Sequence, residues 1–484
     1  MFDGSKLIKK IDYMARWPIL VSLSLAMPIS SQTPFPLRQY GSGGAGLGNF
    51  VPTFHSSGEF PVVGNSSFRL VSRNLRGGTG GVVWISRNQA NLPLPPLSVS
   101  IWVDFTNGFS LYSSANGKSG VAGAGAVVVG LPVPNSQALV GASLFMQGFF
   151  LDTLKPVSIA HTQGLEFHFT SSISPYVAAL YDQKTYQQVV NSSSSGRALW
   201  NANAVPGFTY VKTQRYSCNG QTFWIVEVRD NRYGIEFNLI PGGSFRMGCL
   251  NPPSGGTPLE ETPVHWVHVA PFLLGQYEIT QKQWTAVMGN KPWINQRHVG
   301  PRTDCPATYI SWKDVTSGAG SYCGKTGFRL PSEAEWEYAC RAGTTTKYSC
   351  GNCSQVLEKY AWFSSTTFPL NENYPHSVGQ KLPNPFGLYD IHGNVYEYTE
   401  DNFHSNYNGA PTNGSPWLNP KATQRVVKGG AWAGTHCRAP DMLSEILPGV
   451  SRTELRTGLR SRRLIQLSPE QKSRKELKAS PPSA

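Results

Sequence analysis

Between Phe328 and Gly343 the chain writes both ends of a short helix into its sequence. Ser332 and Glu335 have the spacing of a capping box, in which the hydroxyl accepts a first-turn amide and the carboxylate reaches back to the cap amide. Pro331 fixes the entry, and Gly343 supplies a residue that can end the helix in a left-handed conformation. Ala334, Trp336, Tyr338 and Ala339 alternate with Glu333, Glu335 and Glu337, which predicts a half-buried helix. Two more helix starts carry the same chemistry. Thr280 with Gln283 opens one that stops at Gly289, and Ser311 with Asp314 opens another that carries Trp312 and Val315. The rest of this region reads as short strand and turn.

The first half of the chain has no such caps. Phe68–Val71, Gly81–Ile85, Leu97–Val103 and Gly125–Gly130 are β-type runs broken by Gly, Pro and Asn. Short strands with frequent turn signals predict a sandwich-like accessory domain over 50–170. A Gly-rich linker over 32–49 precedes it. A bridge over 171–235 follows, with a polar run Ser192–Ser195 and one strand at Thr222–Arg229.

Residues 1–31 read as an export signal: Lys6, Lys9, Lys10 and Arg16 precede a short apolar stretch from Pro18 to Met27, then small polar residues. No later segment is apolar for long enough to span a bilayer, so no membrane span is expected after signal removal. An exported location (secreted, periplasmic or cell surface) also allows the eight cysteines to form disulfides. Cys350-Gly-Asn-Cys353 lacks a second pair at zinc-ribbon spacing, which argues against zinc. A local disulfide or unpaired thiols remain. The net charge of +13 is partly concentrated in Arg452, Arg456, Arg460, Arg462, Arg463 and a basic polar tail over 467–484. No nucleic-acid-reading motif accompanies it, so no nucleic-acid partner is expected.

Seven blocks then share one resemblance: Phe237–Gly248, Glu261–Val269, Tyr277–Trp284, Phe328–Gly343, Pro383–Tyr398, Val427–Trp432 and Thr457–Arg460. In this order, across 236–466, they resemble the formylglycine-generating enzyme, or sulfatase-modifying factor, family. The resemblance implies an α+β fold related to C-type lectins, with much irregular backbone, behind the β-sandwich-like domain.

It also implies where chemistry would sit. Active members carry two cysteines in a C-x4-C arrangement just after the closing "GGS", and these bind copper(I), with O2 as co-substrate; soft thiolates suit that ion. Alignment on Gly429-Gly430-Ala431-Trp432 puts Gly434 and Ala439 at the two cysteine positions, Ala431 at the serine and Tyr396 at a usual tryptophan. Copper is therefore not expected. Cys437 beside His436 remains as a candidate catalytic pair, although neighbours on a strand face opposite sides. Calcium is implied at the "GLYD-x-x-GN" turn, through the carboxylates of Asp390 and Glu397 and the carbonyls of Gly393 and Val395. Oxygen donors on a tight turn suit a hard cation, and a backbone-capping Asp390 is the structural alternative. A second calcium site of the family meets Trp362 where Asn is expected. A related iron-dependent branch takes its ligands from a His-bearing helical bundle, and no such pattern precedes this domain. His265 and His268 fall on opposite faces of a strand, and His376, His392 and His404 are scattered in loops.

The function expected from these residues is an exported protein whose domain binds a protein or glycan ligand at the cell surface, without catalysis. Trp362, Tyr396 and Trp432, with Phe363 and Tyr398, would line its groove unless they pack in the core. Two alternatives stay open: an oxidase converting a target-protein cysteine to formylglycine through a variant metal site, and a structural module of an exported assembly.

Overall fold

The computed structural model describes residues 183–249, 259–419 and 422–434 without a break. It also describes short stretches between 37 and 180 and three strands between 443 and 466. The stretch read as an export signal, the basic tail, and His436, Cys437 and Ala439 lie outside the described residues. The chain divides into two compact units, one of residues 1–174 with 408–412, the other of 175–407 with 413–484. No helix of the described residues is long and apolar enough to cross a membrane.

The first unit contains β1 (Leu37–Tyr40), β2 (Thr53–Ser56), β3 (Arg69–Leu75), β4 (Gly80–Ser86), β5 (Gln89–Leu94), β6 (Val99–Val103), β7 (Gly108–Ser114), β8 (Gly125–Gly130), β9 (Ser143–Asp152), β10 (Ser158–His161) and β11 (Gly164–His168). A six-stranded sheet runs β1-β11-β9-β4-β7, with β10 also on β9. A second sheet runs β2-β3-β8, and β5 pairs with β6. Strands of both larger sheets feed one apolar core: Leu70 and Leu75, Val83 and Ile85, Val127 and Val129, Met146, Phe150 and Leu165. Val83 and Ile85 show the two-residue period that puts one face of a strand inward. Gly81 lies under the Phe150 ring, and a Cβ there would stand 2.3 Å from the ring. Leu37–Tyr40, within the stretch read as linker, pairs with β11.

The second unit opens with α1 (Gln183–Val189) and α2 (Ser193–Asn203). It continues with β12 (Phe208–Cys218), β13 (Gln221–Asp230), β14 (Glu236–Ile240), β15 (Gly243–Met247), β16 (His265–Val269) and β17 (Phe272–Gly275). Then come α3 (Gln281–Met288), α4 (Trp312–Thr316), α5 (Tyr322–Thr326), β18 (Phe328–Arg329), α6 (Glu333–Arg341), α7 (Ser354–Leu357) and α8 (Ser364–Thr367). The remaining strands are β19 (Tyr396–Asn402), β20 (Arg425–Lys428), β21 (Leu443–Glu445), β22 (Arg460–Ser461) and β23 (Ile465–Gln466). The main sheet runs β12-β13-β14-β17-β23-β18, a smaller one runs β21-β20-β19-β22, and β15 pairs with β16. This is a mixed α+β unit with many strands, short helices and much irregular backbone.

Three helix readings hold: α3, α4 and α6 begin at Thr280, Ser311 and Ser332, each with a complete capping box. Several features differ from expectation. The polar run Ser192–Ser195 starts α2, because Ser192 and Ser195 cap each other in the same reciprocal way. Serine at a helix start satisfies amides that would otherwise lack partners. The stretch read as a bridge also supplies the β12–β13 hairpin, turned by Asn219-Gly220 with φ of 50° and 75°. Asn-Gly is the dipeptide that tolerates this tight hairpin turn. Helix α6 ends one residue early, with Ala342 itself left-handed at φ 44° and Gly343 following at φ 86°. Finally, α6 is not half-buried: all nine of its residues are buried.

Candidate functional site

Burying Glu333, Glu335 and Glu337 requires a partner for each, since an unpaired charge in a dry core is costly. The sequence supplies three. Arg329 Nη1 and Nη2 donate to Glu335 at 2.7 Å each, and the Ser332 amide donates to the same carboxylate at 2.8 Å. Arg341, one turn on, donates to Glu337, as does the Gly248 amide at 2.9 Å. Lys428, at the end of β20, donates to Glu333 at 2.9 Å and stands 3.7 Å from Glu337. Burial pulls the Lys428 ammonium toward neutrality. The carboxylates of Glu333, Glu337 and Glu261 outweigh it and hold its pKa above the ordinary value. The Tyr407 hydroxyl donates to Glu333 at 2.7 Å, and Asp401 accepts the Glu333 amide at 2.7 Å. Helix α6 is therefore a platform bolted by charge to β18 and β20, and by the Glu333 amide to Asp401 on β19.

On this platform rests the turn 390–397. Asp390 and Asn394 both take left-handed backbone, at φ 58° and 64°. Asn394 organises the turn: its side chain accepts the His376 amide and donates to Glu278, whose other oxygen accepts the Val395 amide. Its main chain joins two segments, because the Asn394 amide donates to the Trp362 carbonyl and the Trp432 amide donates to the Asn394 carbonyl, each at 2.8 Å. Gly393 is required here, since a Cβ would lie 2.2 Å from the Trp362 carbonyl. Sequence reasoning missed Glu278 and Asn394 as the residues that shape this turn, although the "GN" pair lies in plain view. Of the residues implied to hold calcium, Asp390 accepts the Gly379 amide at 2.7 Å, and Glu397 accepts the Trp336 indole N–H at 2.9 Å. Both carboxylates are buried.

Trp362, Tyr396 and Trp432 meet around this turn, but in different states. Trp432 is only 2% exposed, and Phe363 and Tyr398 are also buried, so these three pack in the core. Trp362 is half-buried, with its ring stacked on His376 at 3.7 Å and the Lys381 ammonium 4.0 Å from its centroid. His376 in turn meets Glu372 at 2.5 Å. Burial lowers the His376 pKa against the pull of that carboxylate. Trp362, His376 and Glu372 thus form a packed stack at the place where the resemblance would put a second calcium. Tyr396 is half-buried, and its hydroxyl lies 3.6 Å from where a Cβ on Gly434 would stand. Residues 431–434 form a closed turn: the Gly434 amide donates to the Ala431 carbonyl at 2.9 Å, and the Ser364 amide donates to the Gly434 carbonyl at 3.0 Å.

The histidines divide as their strand and loop positions suggest. His265 points into the core on β16, while His268 on the other face meets Ser244. His376 and His392 are buried, and His392 accepts from the amide of Ser349 at 3.1 Å. Seven cysteines lie among the described residues, and of these Cys218, Cys305, Cys350 and Cys353 are free thiols.

Residues 227–461 match the family described as a sulfatase-modifying factor enzyme 1-like domain. A formylglycine-generating enzyme of Thermomonospora curvata is 27% identical over 256 residues, which span 40% of this chain and 81% of that one. The serine/threonine-protein kinase pkn1 of Chlamydia caviae is 30% identical over 231 residues, 43% of this chain; the chain spans 34% of that relative's length. Among solved structures, PvdO from Pseudomonas aeruginosa aligns at 27% identity and a TM-score of 0.42, over 50% of this chain and 98% of that one.

Proposed function

We propose that this protein, whose C-terminal region carries a sulfatase-modifying-factor domain, is exported and uses that domain to bind a protein or glycan ligand rather than to oxidise one. The observation that supports this reading is the turn at Gly434. The resemblance places the first copper thiolate there, and Gly434 has no side chain; its neighbours are the Ala431 carbonyl and the Tyr396 phenol. Peptide oxygen and phenol are hard donors, and a soft monovalent copper ion takes thiolates in preference to them. Ala439, at the second position, brings no donor either. The donor set does not fit copper, so no oxidation step is derived through it.

Calcium fits better. Asp390 and the carbonyls of Gly393 and Val395 stand on one glycine-bearing turn, Glu397 follows at the start of β19, and both carboxylates are buried. Hard oxygen donors of this kind would hold Ca2+. The ion would stiffen the turn that joins Trp362 to Trp432 and so set the face that the half-buried Tyr396 shares. Calcium added after chelation is expected to raise the melting temperature, and Asp390→Asn to remove that rise. No shift in the unsubstituted protein ends the calcium assignment.

The functional reading is tested on the full chain with copper(I), a reductant, oxygen and a sulfatase-type cysteine peptide, beside an active formylglycine-generating enzyme. Mass spectrometry reads the change from cysteine to formylglycine. No conversion beside an active control is expected. Turnover that disappears in Cys437→Ser would overturn the binding reading and install a variant metal site in its place.

A further inference from the structure

Three cysteines lie where the tip of the β12–β13 hairpin meets the loop after α6. Cys218 ends β12 and Cys350 lies in the loop; both belong to one buried cluster with Tyr348, Leu357, Ala361 and Phe363. Their chain neighbours meet as well. The Asn219 side-chain amide donates to Thr346 Oγ1 at 3.0 Å, and its oxygen lies 3.8 Å from where a Cβ on Gly351 would stand. The third thiol, Cys353, is exposed and donates to Gln355 Oε1 at 2.8 Å. Cys218 precedes the family match that begins at residue 227.

We propose that Cys218 and Cys350 are a disulfide-forming pair, with Cys353 as the thiol through which oxidation enters. A cross-link there would fasten the hairpin strand lying outside the family match to the body of the domain. The order of events follows from exposure. A low-molecular-weight disulfide reaches Cys353 and is attacked by its thiolate, forming a mixed disulfide and releasing one thiol. Cys350 attacks the Cys353 sulfur, closing Cys350–Cys353 and releasing the second thiol. Cys218 then attacks the Cys350 sulfur and expels Cys353, which returns to its reduced state. The net change removes two electrons and two protons from Cys218 and Cys350, and the external disulfide takes both as it becomes two thiols.

Thiolate is the reacting form. Burial pushes the Cys350 thiol up to about 12, with the Cys218 thiol beside it as a further cause, and burial also raises Cys218. Neither is a ready first nucleophile, and the buried pair would exchange slowly without the exposed third cysteine. The nearby Tyr360 hydroxyl offsets part of the rise at Cys218.

The test equilibrates the full chain in an oxidising glutathione buffer, alkylates remaining thiols, and digests it with trypsin without reduction. The expected product joins Tyr216–Arg229 to Tyr348–Lys359, with the alkyl group on Cys353. A Cys350–Cys353 link at equilibrium, or two unlinked peptides, overturns the proposal. In Cys353→Ser the same product should form more slowly, by on the order of tenfold; an unchanged rate overturns the entry role. In Cys218→Ser the Cys350–Cys353 link should accumulate instead, and full alkylation of both thiols there overturns the relay.

Discussion

In the N-terminal unit the described core is apolar side chains drawn from two sheets, Val83 and Ile85 against Val127, Val129, Met146 and Phe150. Around α6 in the C-terminal unit the core is threaded with charge: Glu333, Glu335 and Glu337 are buried and tied to Lys428, Arg329 and Arg341. Apolar burial is non-directional and scales with area, so many sequences of suitable size and pattern would fill the first core. Buried ion pairs add less net stability than their Coulomb attraction suggests, yet losing one partner is severe because a charge is stranded. The contrast teaches that the first unit is specified by pattern, and the second by particular charged partners, near in sequence for Glu335 and Glu337 and far for Glu333.

The largest expected effect tests that contrast at its centre. Lys428→Ala leaves Glu333 without its buried cation and should cost about 3–5 kcal/mol. Hydrogen exchange of the β19 and β20 amides should rise accordingly. A loss below about 1 kcal/mol would show that the charges are solvated and that the two cores differ less than their composition implies.

A second effect is pH dependence carried by Asp401. Burial, then the nearby Glu333 carboxylate, pushes its carboxyl up to about 8. Between the ordinary 3.8 and about 8 the folded state holds a proton that the unfolded chain has released. The sign follows: this contribution to stability is full below the ordinary carboxylate value and is lost as pH rises through about 8. Urea midpoints of the C-terminal unit should fall over that window, and Asp401→Asn should flatten the slope. A slope unchanged by the substitution would remove Asp401 from the explanation.

The smallest effect sharpens the other side. Ile85→Val in the apolar core should cost about 0.5–1.5 kcal/mol. Exchange of the β4 and β9 amides measures it, and the cost should not vary with pH between 4 and 8 on the order of a few tenths of a kcal/mol, because no titrating group is altered. A pH-dependent cost would mean that the sandwich core is also coupled to charge.

How much of this was legible beforehand depended on the range of the interaction. The caps at Thr280, Ser311 and Ser332 were readable because donor and acceptor lie three residues apart. The same chemistry lies at Ser192 and Ser195, where a run of serines looks like low complexity and hides cap and counter-cap. The Asn219-Gly220 turn is equally local, and it makes a β12–β13 hairpin where the apolar run alone predicts one strand in a bridge. At the candidate site, the family motif placed Asp390, Gly393, Val395 and Glu397 on one turn. It did not reveal that Asn394 and Glu278 brace that turn.

The sequence by itself determined the strand runs, the capped helix starts, the tight turns and the order of the family's blocks. All of these follow from backbone sterics and from hydrogen bonds between near neighbours. Only the tertiary structure decided that three glutamates expected to line a half-buried helix would be wholly enclosed. The cation that makes this possible for Glu333 is Lys428, on a strand at the other end of the domain's sequence. The same holds for Trp432, whose ring meets His298 and Phe368 while its amide and carbonyl are held by Asn394 and Thr367. Whether a charged or aromatic side chain is inside depends on what meets it, and those partners are set by the fold rather than by their neighbours in the chain.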